Sequence, residues 1–312
     1  MRSSTGTATT ATDRDRQDPR DHRAGYVGRF APSPTGDLHL GSLYTATAAY
    51  LQARAHNGRF LVRIEDLDRP REVPGAADRI LATLEAFGFE WDGPVLRQSE
   101  HTDRYQDALG LLRAQGRLFA CDCSRSRLAN TAAYPGSCRS RSPGTIGEPC
   151  AWRVRIDPAP IRLNDRLQGS FERDLRRHGG DFVVRRRDGI VAYVLGVVID
   201  DADQGVTEVV RGADLLESTP QQIHLQTLLS LPTPSYAHLP VLTEPDGAKL
   251  AKSRRTSRLN PLAPVDELTQ VFALLGLDPP AGVREGSLAD AWAWALRHWR
   301  LSCVPKGLER AL

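Results

Sequence analysis

From Gly25 onward, apolar positions fall into short blocks whose spacing switches between the strand and the helix period. Tyr26 to Ala31 reads as a strand that runs into the turn Pro32-Ser33-Pro34-Thr35-Gly36. A helix is expected from about Gly41, with Leu43, Tyr50 and Leu51 at helical spacing and Asn57-Gly58 as its stop. Phe60 to Ile64 reads as a second strand, apolar enough to be buried on both faces. Strand, Gly/Pro turn, helix, strand is a βαβ unit.

A second helix starts after Pro74 and stops at Gly88, with Ala77, Ile80, Leu81, Leu84 and Phe87 as its buried stripe. A third runs from Thr102 to Gln115, with Tyr105, Ala108, Leu109 and Leu112 inward and Gly116 as its stop. Periodicity then vanishes from Leu118 to Cys150, a stretch too long to lie unpatterned in a compact domain unless something staples it. Strands are expected at Trp152–Ile156, Phe182–Arg186, Val206–Val210 and Leu239–Leu242. Helices are expected at Asp214–Leu229, Val265–Leu275 and Leu288–Leu301. Ile190–Ile199 is apolar throughout, and its pattern fits a buried helix and a strand equally.

Composition narrows the class. The 312 residues are 40% hydrophobic and 25% charged, enough to bury a sizeable core. No apolar run approaches the ~18–20 residues of a membrane span. The net charge of +3 is too small to mark a nucleic-acid binder by itself. Residues 1–24 lack an apolar core and mix Asp with Arg and Thr, which reads as a disordered tail rather than a secretory or transit signal. A reducing, cytoplasmic location follows, where clustered cysteines favour a metal over disulfides. Four of the five Cys lie between Cys121 and Cys150. Lysine is scarce: Lys249, Lys252 and Lys306 stand among 38 Arg, so two Lys three residues apart are conspicuous.

Two segments carry candidate chemistry. The first βα turn reads Gly28-Arg29-Phe30-Ala31-Pro32-Ser33-Pro34-Thr35-Gly36-Asp37-Leu38-His39-Leu40-Gly41-Ser42. It is neither a dinucleotide fingerprint nor a P-loop. It does place His39 at a helix N-terminus, where free N–H groups and the dipole favour phosphate, and Gly41 would let a flat purine or ribose approach the backbone. The second segment is Lys249-Leu250-Ala251-Lys252-Ser253, a basic loop suited to clamping a pyrophosphate.

Together the two resemble the paired signature motifs of class I aminoacyl-tRNA synthetases, with Ser42, Leu250 and Ala251 departing from the usual residues. Val62-Arg63-Ile64-Glu65-Asp66-Leu67-Asp68 and Gly205 to Asp214 are similar to the glutamyl/glutaminyl subgroup. The resemblance implies an α/β, Rossmann-like catalytic core with a zinc-stapled insertion and a short C-terminal helical region. Its boundaries would be a tail 1–24, a first half-core 25–117, an insertion 118–180, a second half-core 181–245, and the lysine loop with C-terminal helices 246–312. It implies ATP with Mg²⁺ and L-glutamate as substrates. His39 and Lys252 would be catalytic, with Gly41 and Lys249 also on ATP. Arg29, Phe30, Ala31, Pro32, Ser33, Glu65, Tyr193 and Arg211 would bind glutamate: Glu65 its ammonium, Tyr193 and Arg211 the side-chain end, where an Arg grips a γ-carboxylate bidentately.

A plain ligand count over Cys121-Asp122-Cys123 and Cys138 takes Cys150 as the fourth zinc donor. The resemblance points instead to Tyr134, giving Cys121, Cys123, Tyr134 and Cys138 around one structural zinc, with Cys150 in reserve. About sixty residues follow Ser253, whereas full glutamyl-tRNA synthetases continue into an anticodon-reading domain. That shortness, and the run Arg69 to Ala77, resemble a truncated, queuosine-directed branch that activates glutamate without tRNA and transfers it to the queuosine base of tRNA(Asp). A monomer is expected. Arg125, Arg127, Arg139, Arg141, Arg185 to Arg187, Arg254, Arg255 and Arg258 are candidate phosphate contacts. Two other readings stay open: a truncated synthetase charging a tRNA 3′ end, and a non-catalytic tRNA-binding module.

Overall fold

The computed structural model describes residues 25–129, 131–141, 146–243 and 259–311. The tail 1–24 and the segment 244–258, with Lys249, Lys252, Arg254, Arg255 and Arg258, lie outside the described residues, as does the side chain of Arg125.

Strand β1 (Val27–Phe30), helix α1 (Leu40–Ala55) and strand β2 (Arg59–Ile64) form the expected βαβ unit, with β1 and β2 parallel. Asn57 closes α1 with φ at 51°, the left-handed stop that Asn tolerates. Helix α2 (Ala76–Ala86) leads to β3 (Leu96–Arg97), which extends the sheet beside β2. Helix α3 (Thr102–Ala114) buries the four residues its pattern assigns inward.

The unpatterned stretch begins with β4 (Leu118–Cys121) and the one-turn α4 (Arg125–Leu128). Then come β5 (Ala151–Val154), a hairpin of β6 (Ile161–Asp165) and β7 (Gly169–Arg173), and β8 (Val183–Arg185). Strands β4, β5 and β8 make a small antiparallel sheet. The apolar run near residue 195 is a helix, α5 (Tyr193–Asp203).

Strand β9 (Glu208–Gly212), helix α6 (Thr219–Leu228) and strand β10 (Ser235–Leu239) form the second parallel crossover. The Thr207 amide donates to the Val27 carbonyl at 2.9 Å, which sets β9 beside β1. The parallel order is therefore β3-β2-β1-β9-β10, a doubly wound half-sheet. The long helix expected from Asp214 is split: Ala213–Ser218 is 3₁₀ and the α-helix starts at Thr219. Pro220 lacks an N–H and is tolerated only in a first turn. Pro240 likewise interrupts the expected strand, so β11 (Val241–Thr243) leaves β10. Helices α7 (Pro264–Leu274), α8 (Ala281–Arg284) and α9 (Leu288–His298) follow, and β12 (Glu309–Ala311) pairs with β11 in parallel.

Side-chain alternation sorts the two faces of the parallel sheet. Phe30, Phe60, Val62, Ile64, Val210 and Leu239 pack with α1, α7 and α9 in the main core. The other face starts apolar, with Val27, Leu61, Val209 and Tyr236. Towards the carboxyl ends of the strands it turns charged, with Arg29, Arg63 and Arg211. No described helix is long and apolar enough to cross a membrane.

Candidate active site

The carboxyl ends of β1, β2 and β9 open into a cavity of about 800 Å³ lined by Arg29, Phe30, Ala31, Ser33, Glu65, Tyr193 and Arg211, among others. A neighbouring cavity of about 360 Å³ is lined by Phe30, Pro32, Ser33, His39, Gly41 and Ser42. The two share Phe30, Ser33, Thr35, Thr45, Gly212 and Asp214, so they form one continuous cleft. Ligands of open parallel sheets bind at this end. The turn that separates the cavities is pinned: Glu65 N donates to the Pro32 carbonyl and Val73 N to that of Pro34, each at 2.9 Å.

The larger cavity carries separated charge. Arg63, fully buried in β2, holds Asp201 at 2.8 Å, Glu65 at 3.4 Å and Asp200 at 3.8 Å. Arg29 holds the same Asp201 oxygen at 3.2 Å. Burial alone would raise Asp201, but Arg29 and Arg63 outweigh it and keep that carboxyl below its ordinary range. Glu65 is pushed the other way: burial dominates, and Arg63 and Arg29 only partly offset it. An ammonium group beside Glu65 would restore its charge. Where Glu65 receives the ammonium of L-glutamate, as the resemblance implies, the glutamate KM should rise on acidification at pH values above the ordinary Glu value of about 4.3. A KM flat from pH 7 to below 4.3 would remove Glu65 from that role.

Arg211 is only 4% exposed, yet every partner of its guanidinium is neutral. Nη2 donates to Thr219 Oγ1 and Gln222 Oε1 at 2.8 Å, Nε to His238 Nε2 at 3.1 Å, and Nη1 to Tyr193 Oη at 3.4 Å. Among the described residues it has no carboxylate partner. A buried cation on a cavity wall whose described partners are all neutral has the chemistry to receive an anion.

His39 caps α1: its Nδ1 accepts from Ser42 N at 3.3 Å. That bond fixes the tautomer and makes Nε2 the donor. It uses the backbone of residue 42, so Ser is tolerated there. Gly41 has a geometric role the sequence did not suggest: a Cβ there would lie 3.1 Å from His39 Cε1 and 3.2 Å from Nδ1. Gly41→Ala should therefore displace the imidazole and lower the rate of the amino-acid activation that the resemblance implies by about tenfold to a hundredfold, with little change in Tm. An unchanged rate would show that the ring can move at no cost. Gly212 similarly leaves room for Asp214, since a Cβ there would lie 2.5 Å from its Oδ1.

In the insertion, the sulfurs of Cys121, Cys123 and Cys138 all lie within 4.8 Å of one another. Cys123 and Cys138 stand 3.6 Å apart, and Tyr134 Oη stands 3.6 Å from Cys121 Sγ. A tetrahedral zinc with sulfur at about 2.3 Å holds its sulfurs about 3.8 Å apart, so the group fits zinc. Cys138 N donates to Tyr134 Oη at 2.9 Å, and the Arg153 guanidinium lies 4.0 Å from the Tyr134 ring centroid. The Cys138 amide favours negative charge on the phenol, but burial and the Cys138 and Cys121 thiols outweigh it and hold the phenol above its ordinary range. Cys150 is buried but stands outside the three-sulfur group.

The described basic candidates in and next to the insertion are largely paired. Arg139 meets Asp181, Arg141 meets Asp122, Arg185 meets Glu148, and Arg186 meets Asp68 and Asp188. Arg127 and Arg187 have no acidic partner among the described residues. Arg186, a candidate phosphate contact in the sequence, lines the larger cavity together with Asp68 and Arg71, to which the sequence assigned no role.

A parallel sheet that carries a capped His39 turn beside a pocket with Glu65 and Arg211 agrees with the class I aminoacyl-tRNA synthetase resemblance of the sequence, and the family comparison shows that class. Residues 26–267 match the family model for the catalytic domain of class I tRNA synthetases (E and Q). The chain is 51% identical over 292 residues to the glutamyl-Q tRNA(Asp) synthetase of Aromatoleum aromaticum, covering 91% of this chain and 92% of that one. It is 52% identical over 290 residues to the enzyme of the same name from Chromobacterium violaceum, covering 90% and 96%. A glutamate tRNA ligase of Elizabethkingia meningosepticum, solved with its amino acid, superposes with a TM-score of 0.77 at 26% identity. This chain is covered to 91% there and spans 66% of that longer chain. The chain belongs to the glutamyl-Q tRNA(Asp) synthetase family and is a ligase.

Proposed function

We propose that this enzyme activates L-glutamate with ATP in the absence of tRNA and transfers it to the queuosine base at the wobble position of tRNA(Asp). The observation that carries the glutamate reading is Arg211, a buried cation with neutral partners on the same cavity as Glu65. An anionic side chain fits the first and an ammonium group the second. Glutamine would leave the Arg211 charge unanswered.

In the first step a glutamate α-carboxylate oxygen attacks the ATP α-phosphorus and pyrophosphate leaves. Glu65 and Arg211 fix the substrate at its two ends, with Tyr193 and the Arg29–Ser33 strand end as the walls. His39, capping α1 at the smaller cavity, donates to phosphate from Nε2. Lys249 and Lys252 would supply the remaining positive charge, and Mg²⁺ travels with ATP. Positioning and charge stabilisation suffice for such chemistry, and no covalent enzyme intermediate is needed. In the second step a hydroxyl of the queuosine ring attacks the glutamyl carbonyl, and AMP leaves. Cys121, Cys123, Tyr134 and Cys138 would hold a structural zinc, which would tie the end of β4 to the 134–138 turn.

Incorporation of labelled glutamate into tRNA(Asp) tests the second step. Label should enter tRNA(Asp) that carries queuosine and be absent from the same tRNA made without it. Equal labelling of both would mean charging of the 3′ end and would overturn the transfer reading.

A further inference from the structure

Behind Arg211 lies a buried relay that the two-step chemistry above does not use. In the parallel pairing of β9 and β10, Arg211 is the register partner of His238. His238 is fully buried, and so is Asp165 at the end of β6. Arg211 has donors and no acceptor, so its Nε–H can only donate to His238 Nε2. Nε2 must then carry a lone pair, and the imidazole proton sits on Nδ1. That nitrogen lies 2.6 Å from Asp165 Oδ2, which accepts the proton's hydrogen bond.

Thr219 Oγ1 also lies 3.1 Å from Nε2, but its hydroxyl donates to the Leu215 carbonyl at 2.9 Å, which leaves the Nε2 lone pair to Arg211. Asp165 Oδ1 accepts from Leu167 N at 3.0 Å, Gln168 N at 2.9 Å and His238 N at 3.2 Å. These bonds, with His238, hold the carboxyl below its ordinary range despite burial. Burial lowers His238 and Arg211 lowers it further, together outweighing the Asp165 hydrogen bond that raises it, so the neutral ring is favoured. The Tyr236 ring stacks 5.9 Å from His238 and carries the Arg211 guanidinium 5.3 Å from its centroid.

The spacing of charge matters. A carboxylate directly on Arg211 would compete with the substrate for the fork. With an imidazole between them, Asp165 orients the guanidinium and leaves its charge to the ligand. We propose that Asp165 and His238 are positioning residues that hold the Arg211 fork on the substrate's side-chain carboxylate and so sharpen selection of glutamate over glutamine. This inference rests on the reading of Arg211 as the receptor of that carboxylate.

Asp165→Asn is the discriminating variant. It keeps an oxygen for the turn amides of Leu167 and Gln168. Its amide nitrogen must then face His238 Nδ1, which forces the proton onto Nε2, against the Nε–H of Arg211. The expected result is a glutamate KM raised about tenfold to a hundredfold, with kcat and the KM for ATP within about threefold. Preference for glutamate over glutamine should fall with it. Imidazole ¹⁵N NMR should show one histidine passing from the Nδ1–H to the Nε2–H form. Adding His238→Gln to Asp165→Asn should recover part of the KM, because the glutamine amide can turn its oxygen to Arg211. A variant with wild-type glutamate KM, or one that loses Tm and both KM values together without a tautomer change, would overturn the relay. Arg211→Gln separates the two levels. If it raises the glutamate KM and Asp165→Asn does not, the relay alone fails. If it leaves the KM unchanged, the reading of Arg211 fails and the relay with it.

Discussion

Arg211→Gln should lower kcat/KM for glutamate in tRNA-free activation by about 10²–10³-fold, while the KM for ATP stays within about threefold. Removing one partner of a buried, hydrogen-bonded charge pair costs about 2–5 kcal/mol, and each 1.36 kcal/mol is a decade. Glutamine keeps much of the volume and can still bond Thr219 and Gln222, so the loss falls on the ligand rather than the fold. Arg211→Lys should recover part of the loss, since it restores charge without the two-pronged geometry. Steady-state kinetics with glutamate and glutamine side by side check this. A variant that loses ATP and glutamate affinity alike would place the defect in packing.

The second large effect concerns the metal. Protein prepared with zinc should contain about one zinc per chain, and Cys138→Ser should contain none. Structural zinc binding is worth about 10–16 kcal/mol in small zinc domains, and that energy is folding energy. Without it, the described residues of 118–150 have two short elements and the small cluster of Phe119, Tyr134 and the thiols to order them. A protease should therefore cut 118–150 after chelation, while the main core resists. Tyr134→Phe and Cys150→Ser tell the fourth donor apart: the variant that loses zinc identifies it. Unchanged metal content and unchanged proteolysis in Cys138→Ser would remove zinc from the account.

The first βαβ unit was legible because its signals are local: a Pro/Gly turn, a helical stripe and the Asn57-Gly58 stop. The β6–β7 hairpin was not. Its turn, Arg166-Leu167-Gln168, lacks the usual Asn-Gly or Asp-Gly signal, and β6 offers only Ile161 and Leu163 as apolar positions. The alternation of β6 does put Asp165 on its inward face, and a carboxylate there demands a partner. That was the available hint of the relay. Nothing local could name the partner, because His238 is 73 residues away. Arg63 shows the same limit. Its strand reads as apolar on both faces, yet the guanidinium is buried among Glu65, Asp200 and Asp201, two of them contributed by α5. Glu65, Tyr193 and Arg211 were named through family motifs. Their convergence on one cavity is a matter of sheet order, which pattern alone does not give.

The central claim is that the cleft activates glutamate by itself. Glutamate-dependent exchange of labelled pyrophosphate into ATP, with Mg²⁺ and no tRNA, measures that step directly. The account predicts robust exchange with glutamate and little with glutamine or aspartate. Absence of exchange until tRNA is added would contradict tRNA-independent activation, and absence under both conditions would contradict catalysis.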